Sequence, residues 1–264
     1  MTIRQAIEKG MIELKISNVL TPKLKARMLM QFILNRSRQN IIVHDKEELT
    51  KLDEKRYFQA INKLKKNIPI EHITHQKEFM KLNFYVDENV LIPRQDTEIL
   101  VEEVINIAKR INAKKILDLC TGSGAIAVSL AKYIENSNIT ALDISSAALR
   151  VAKLNAKNNE VENQITFVES DLFELLNDEK YDIIVQKEPK IALNGGKSGL
   201  DFYQRIVKEG YQYLKYGGYL CLEIGYDQKE DVMSIIEKED KYINTYSKKD
   251  LYDNDRIVVT KVGG

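Results

Sequence analysis

Apolar residues recur along the first part of the chain at helical spacing: Ile3, Ile7, Met11 and Leu14, then Leu24, Met28 and Phe32, then Phe58, Ile61 and Leu64. Positions three and four apart share one face of a helix, so this period predicts a small helical domain. Thr21-Pro22 and the polar stretch at His44-Asp45 punctuate it. Proline pre-sets a helical first turn, and the residue before it avoids the α region. After Pro69 the period shortens. Leu82, Phe84 and Val86 alternate with Asn83, Tyr85 and Asp87, and Asp87-Glu88-Asn89 offers a turn before Val90-Leu91-Ile92. Alternation of this kind marks a strand with one buried face. A β-hairpin linker is therefore expected over residues 76–92, between a helical domain at 1–75 and a larger domain at 93–264.

In the larger domain the two periods alternate. Leu100, Val104, Ile107 and Ile111 form a helix stripe, and strands are predicted at 115–119, 139–142, 165–168, 181–185, 219–224 and 256–260. Helices are predicted between them at about 124–134, 146–158, 199–215 and 227–238, with Tyr203, Ile206, Val207 and Leu214 as a core stripe. Strand and helix in alternation argue for βαβ units and a mainly parallel sheet. The expected class is α/β, doubly wound.

Composition narrows the setting. No apolar run approaches the roughly 18 residues needed to span a bilayer, and the start Met1-Thr2-Ile3-Arg4 lacks the apolar block of a signal peptide. A cytoplasmic protein is expected. Cys120 and Cys221 lie outside any C-x-x-C or Cys/His cluster, so reduced thiols are expected. His72 and His75 stand three apart with no third ligand nearby, and no metal site is expected. The net charge of +1 hides an asymmetry, because residues 1–70 carry 10 Lys and 5 Arg against 5 Glu and 2 Asp, or +8, leaving −7 for the rest. Such a basic segment suits an anionic partner, either an acidic protein face or a nucleic-acid backbone, and equally a solvated surface.

The stretch Asp118-Leu119-Cys120-Thr121-Gly122-Ser123-Gly124-Ala125-Ile126-Ala127 runs from a strand through a glycine turn into a helix. Glycine serves where φ is positive or a ligand comes close, and a helix N-terminus can face a polar ligand group. A nucleotide-like cofactor site follows. Asp143 closes the next strand 19 residues after Gly124, close to the spacing of about 20 at which an acid meets ribose hydroxyls in dinucleotide folds. Gly122 to Ala127 also satisfies G-x-G-x-x-A, so a nicotinamide cofactor stays open on spacing alone. Asp118 discriminates. A buried carboxylate there would repel a pyrophosphate and suits the cationic amino-acid end of S-adenosyl-L-methionine. Asp171 follows the third strand, where it could accept from an adenine amino group.

These residues resemble the class I S-adenosylmethionine-dependent methyltransferases, and more narrowly the HemK/PrmC family of release factor glutamine-N5 methyltransferases. The likeness is carried by Pro69-Ile70-Glu71-His72-Ile73 with Glu78-Phe79-Met80, and by Asn89-Val90-Leu91-Ile92-Pro93-Arg94-Gln95-Asp96-Thr97-Glu98, with Gln95 where the family usually has proline. It continues through residues 116–127, Glu188-Pro189-Lys190-Ile191-Ala192-Leu193-Asn194-Gly195-Gly196, Gly199-Leu200-Asp201, Leu222-Glu223-Ile224-Gly225 and Asp255-Arg256. The resemblance implies a Rossmann-like seven-stranded sheet and S-adenosyl-L-methionine as cofactor. It places cofactor contacts at Cys120, Thr121, Gly122, Ser123, Gly124, Asp143, Asp171 and Leu172, to which the charge argument adds Asp118. Implied too are a Gly-Gly-Gln glutamine of peptide-chain release factors as target and the helical domain as the part that engages them. Nucleic acid would be met only indirectly, and no membrane. An adenine-N6 methyltransferase is the alternative, since such enzymes share the same catalytic tetrapeptide.

That tetrapeptide is where the chain departs. The family carries Asn-Pro-Pro-Tyr directly after the fourth strand, whereas here 181–185 runs into Gln186-Lys187-Glu188-Pro189 and the tetrapeptide occurs nowhere in the chain. No catalytic residue can be named from the pattern. The break is abrupt on both sides, which predicts a mobile segment omitted between Val185 and Glu188, visible as a Cα separation well above about 3.8 Å. A chain truly lacking the loop would instead be a cofactor-binding protein without turnover.

Overall fold

The computed structural model describes residues 1–187 and 198–263. It divides into two compact units, Met1–Gln76 and Lys77–Gly264. Among the described residues no helix is long and apolar enough to cross a membrane.

The first unit is helical: α1 (Ile3–Ile16), α2 (Pro22–Leu34), α3 (Arg38–Val43), α4 (Lys51–Lys65) and α5 (Ile70–Thr74). Hydroxyls cap three of them, Thr2 in a reciprocal box with Gln5, Ser37 on Asn40 and Thr50 on Asp53, which satisfies amides the helix itself leaves free. Ile3, Leu14, Leu29, Met30, Tyr57 and Ile61 fill the core, and the Tyr57 hydroxyl donates to the Ala26 carbonyl at 3.2 Å. On α2 the buried face is Ala26, Leu29 and Met30. The stripe that spacing singles out, Leu24, Met28 and Phe32, faces solvent instead, at 56, 40 and 39% exposure.

The second unit begins with a hairpin of β1 (Lys77–Phe79) and β2 (Leu82–Phe84). Its turn residues Met80 and Lys81 both have positive φ, 50° and 59°, the geometry of a two-residue turn that follows strand twist. The hairpin therefore lies one strand earlier than expected. Met-Lys carries none of the Asn-Gly chemistry that usually marks such a turn, and the segment after it does not pair. Val86 and Val90 pack instead on Ala148 and Val151.

Seven strands follow: β3 (Lys115–Leu119), β4 (Asn138–Asp143), β5 (Ile165–Glu169), β6 (Tyr181–Gln186), β7 (Leu214–Glu223), β8 (Tyr242–Lys249) and β9 (Asp255–Val262). They form one sheet in the order β5-β4-β3-β6-β7-β9-β8, parallel through β7, with β9 and β8 antiparallel. The helices α6 (Thr97–Ile111), α7 (Ala125–Tyr133) and α8 (Ser146–Asn158) cover one face, and α9 (Ser198–Gly210) and α10 (Lys229–Glu237) the other. β8 was not expected from the pattern. It is an edge strand with alternate polar positions and a Lys-Lys end, the composition that keeps an edge unpaired. The helix expected over 199–215 is shorter, ending at Gly210 before a 3₁₀ turn and β7.

β6 runs without interruption past Val185. Gln186 pairs with Leu119 on one side and Leu222 on the other. An omission was expected between Val185 and Glu188; Gln186 continues the strand and Lys187 follows it. The stretch from Glu188 to Gly196 lies outside the described residues.

Candidate active site

Strand order reverses between β3 and β6, and in open α/β sheets ligands bind outside the carboxyl ends of the strands at that point. Asp118 stands at this end of β3, fully buried. Thr121 Oγ1 donates to its Oδ2 at 2.6 Å, while Oδ1 is buried without a hydrogen-bond partner. Burial pushes its carboxyl up to about 7 and the Asp143 charge adds to the rise, against the Thr121 hydroxyl, the Ala127 amide and the Lys187 charge. An acceptor atom left bare in the interior costs about 1–3 kcal/mol. At the same edge Gln186, at the end of β6, is also fully buried, with both side-chain polar atoms unpartnered.

The turn that follows is built on left-handed backbone. Cys120, Gly122 and Gly124 have φ of 57°, 56° and 77°. The two glycines serve different ends. A Cβ on Gly124 would come within 3.0 Å of the Ala152 Cβ, so this glycine lets α7 and α8 pack closely; a Cβ on Gly122 would meet nothing nearer than 4.0 Å, so its open side can receive a ligand. Burial, with the Asp143 and Asp118 charges next, raises the Cys120 thiol to about 12, which keeps it protonated and a packing group rather than a nucleophile. The Thr121 amide donates to the Leu142 carbonyl at 2.7 Å and the Gly124 amide to the Thr121 carbonyl at 2.9 Å. The loop is thereby tied to the end of β4.

Asp143 is held from both sides. Its Oδ2 accepts from the Gly122 amide at 2.8 Å and its Oδ1 from the Ser145 amide at 2.9 Å. Each oxygen keeps lone-pair capacity, so the carboxylate is oriented to accept from two hydroxyls at once. Beyond β5 the Ser170 hydroxyl donates to the Leu172 carbonyl at 2.9 Å and accepts from the Leu175 amide at 3.1 Å, fixing the turn that carries Asp171 and Leu172. Leu172 is buried. Asp171 is engaged by Arg205, whose guanidinium lies 3.2 and 3.3 Å from its two oxygens. The structure thus gathers the ends of β3, β4 and β5 at one edge, with no nucleophile poised there among the described residues.

Two features escaped the sequence reading. Asn155 on α8 is fully buried, and its Nδ2 donates to the carbonyls of Ser123 and Tyr85, both at 2.9 Å, while its Oδ1 accepts from the Tyr85 amide at 2.7 Å. An asparagine on the apolar face of a helix, one turn from Ala152 and beside Ala156, is the signal that could have found it. On the other side Thr97 Oγ1 donates to buried Glu223 at 3.0 Å, tying the start of α6 to the end of β7. Glu98 accepts from the Met80 amide at 2.7 Å and so holds the hairpin.

The comparisons with known proteins agree with this architecture. Residues 95–253 match the family described as Methyltransferase small domain, and residues 5–74 the PrmC N-terminal domain. A release factor glutamine methyltransferase of Clostridium acetobutylicum is 38% identical over the whole of both chains, and one of Moorella thermoacetica 35% identical over 97% of each. The first alignment runs over 285 positions against 264 residues here, so 21 positions face gaps in this chain. A methyltransferase structure from Pyrococcus furiosus shares the fold at TM-score 0.55 and 17% identity, over 70% of this chain and 90% of that one. With full-length identity at this level, the chain belongs to the release factor glutamine methyltransferase family.

Proposed function

We propose that this chain binds S-adenosyl-L-methionine at the carboxyl ends of β3, β4 and β5 and transfers its methyl group to the side-chain amide of a glutamine in peptide-chain release factors. The observation that carries the cofactor assignment is Asp118, a buried carboxylate with one oxygen unpartnered. It suits an ammonium group and would repel a phosphate. Asp143, already oriented by the Gly122 and Ser145 amides, would accept from the two ribose hydroxyls. Gly122 gives the open side of the turn, Cys120, Thr121, Ser123 and Gly124 shape it, and Asp171 with Leu172 would border the adenine.

Bound S-adenosyl-L-methionine supplies a methyl carbon made electrophilic by its sulfonium. An amide nitrogen is a poor nucleophile because its lone pair is delocalised, so the acceptor must be held in line. In the family Asn-Pro-Pro-Tyr does this, and its absence from these 264 residues favours a second reading, in which cofactor and partner bind without turnover. We assign partner recognition to the helical segment at 1–75, the link to 76–92 and the methyltransferase domain to 93–264; a release-factor substrate would place the protein in the cytoplasm.

Calorimetry with S-adenosylmethionine, followed by label transfer from methyl-labelled cofactor to purified release factor, separates the readings. Cofactor binding with label on the Gly-Gly-Gln glutamine, lost when that glutamine is alanine, is expected. Binding without label supports the second reading, and failure to bind cofactor overturns both.

A further inference from the structure

The apolar stripe of α2 points away from the core, and the surface along it is hollowed and basic. Leu24, Met28 and Phe32 lie one turn apart and are all exposed. Beside the stripe, a cavity of about 420 Å³ is floored by Ile7, Met11 and Ile41 and rimmed by Lys23, Arg27 and Arg38, with Glu8 and the Arg4–Asp45 pair also on its lining. A second, of about 420 Å³, shares those three cations and reaches Leu24. A third, of about 580 Å³, takes in Met28 and Phe32. Gln31 lines all three, so they follow one another along the helix.

The charges are uncommitted. Arg4 pairs with Asp45 and Arg36 with Glu47, each at 2.6 Å, whereas Lys23, Arg27 and Arg38 form no ion pair with any described residue. Three free cations beside an apolar stripe define the complement: a segment with apolar side chains at helical spacing and carboxylates along its flank. A phosphate backbone would satisfy the cations and leave Leu24, Met28 and Phe32 uncovered, so a protein is favoured over nucleic acid.

We propose that this face of α2 docks an acidic amphipathic helix of the protein substrate, apart from the glutamine that is methylated. The inference rests on the release-factor reading above and adds the surface and the chemistry of its partner. The test measures the affinity of the full chain for purified release factor, in wild type, in Arg27→Glu with Arg38→Glu, and in Leu24→Ser with Met28→Ser and Phe32→Ser. Lys55→Glu, on an exposed position of α4, controls for a charge reversal elsewhere on the helical unit. Each multiple variant is expected to lose about 10-fold or more in affinity, with Lys55→Glu unchanged and cofactor affinity unchanged in all. Raising salt should weaken wild type more than the charge-reversed variant. If wild type binds and both α2 variants bind within about twofold of it, the docking surface is wrong and the methyltransferase reading stands. If wild type binds cofactor but no release factor, the docking proposal and the release-factor assignment fall together. Tight binding to RNA or DNA, lost in the charge-reversed variant but not in the serine variant, assigns the surface to nucleic acid and overturns the proposal.

Discussion

Replacing Asp118 by asparagine should make the protein more stable and its cofactor binding weaker, and both effects can be sized. The carboxyl is fully buried and raised from 3.8 to about 7. An acid raised on folding contributes stability that is complete below its unfolded value, near pH 4, and is lost as pH rises through about 7. The loss amounts to roughly 4 kcal/mol at most. Asp118→Asn removes the charge that causes it, so the cofactor-free variant should melt higher than wild type at pH 8, with the gap closing towards pH 4. Binding runs the other way. If an ammonium seeks the ionised carboxylate, the ionised fraction sets the affinity, which should rise about fivefold between pH 6 and pH 7 with release of a proton. The variant loses a charge-assisted contact, about 1.5–3 kcal/mol or ~10- to 100-fold in affinity, and loses the pH dependence. Calorimetry in buffers of different ionisation enthalpy reads the proton directly. Affinity that stays flat from pH 6 to 7 with no proton released would refute the pairing, and a variant that melts lower at pH 8 would refute the burial argument.

Other expectations follow from single contacts. In Asp143→Asn the amide nitrogen must face either the Gly122 or the Ser145 amide, donor against donor; cofactor affinity should fall about 10-fold or more in a titration. Gly124→Ala puts a Cβ 3.0 Å from that of Ala152 at φ of 77°, and thermal melts should show a loss of about 1–3 kcal/mol. Asn155→Ala strips three hydrogen bonds, one from the buried Ser123 carbonyl and two from the part-buried Tyr85 backbone, and should cost roughly 2–4 kcal/mol in urea unfolding. Inserting a segment with Asn-Pro-Pro-Tyr after Val185 should raise label transfer to release factor if acceptor alignment is what this chain lacks; unchanged transfer would place the deficit elsewhere.

The parallel core of the fold was legible because β3 and β6 are buried along nearly their whole length, β4 carries the short run Ile139-Thr140-Ala141-Leu142, and α6, α7 and α8 repeat at helical spacing. The glycine turn and its acids were legible for the same reason: positive φ and short spacing leave few residue types available. What failed to read were features set by tertiary contact. The hairpin turn at Met80-Lys81 carries no turn residues, β8 is polar as an edge strand must be, and Leu24, Met28 and Phe32 share a helical face that turns outward. Periodicity reports that a face exists and not which way it points. Asn155 was hidden because a carboxamide on a helix ordinarily reaches solvent, and only the backbone of Tyr85 and Ser123 explains its place.

The Asn155 side chain joins the glycine turn to a strand end 38 residues upstream, since it holds the Ser123 carbonyl and both backbone groups of Tyr85. The Tyr85 amide therefore reports on the turn from outside it. Deuterium uptake at that one amide, slow while the turn is seated and faster whenever it opens, gives a clock for cofactor entry that needs neither a label in the site nor turnover.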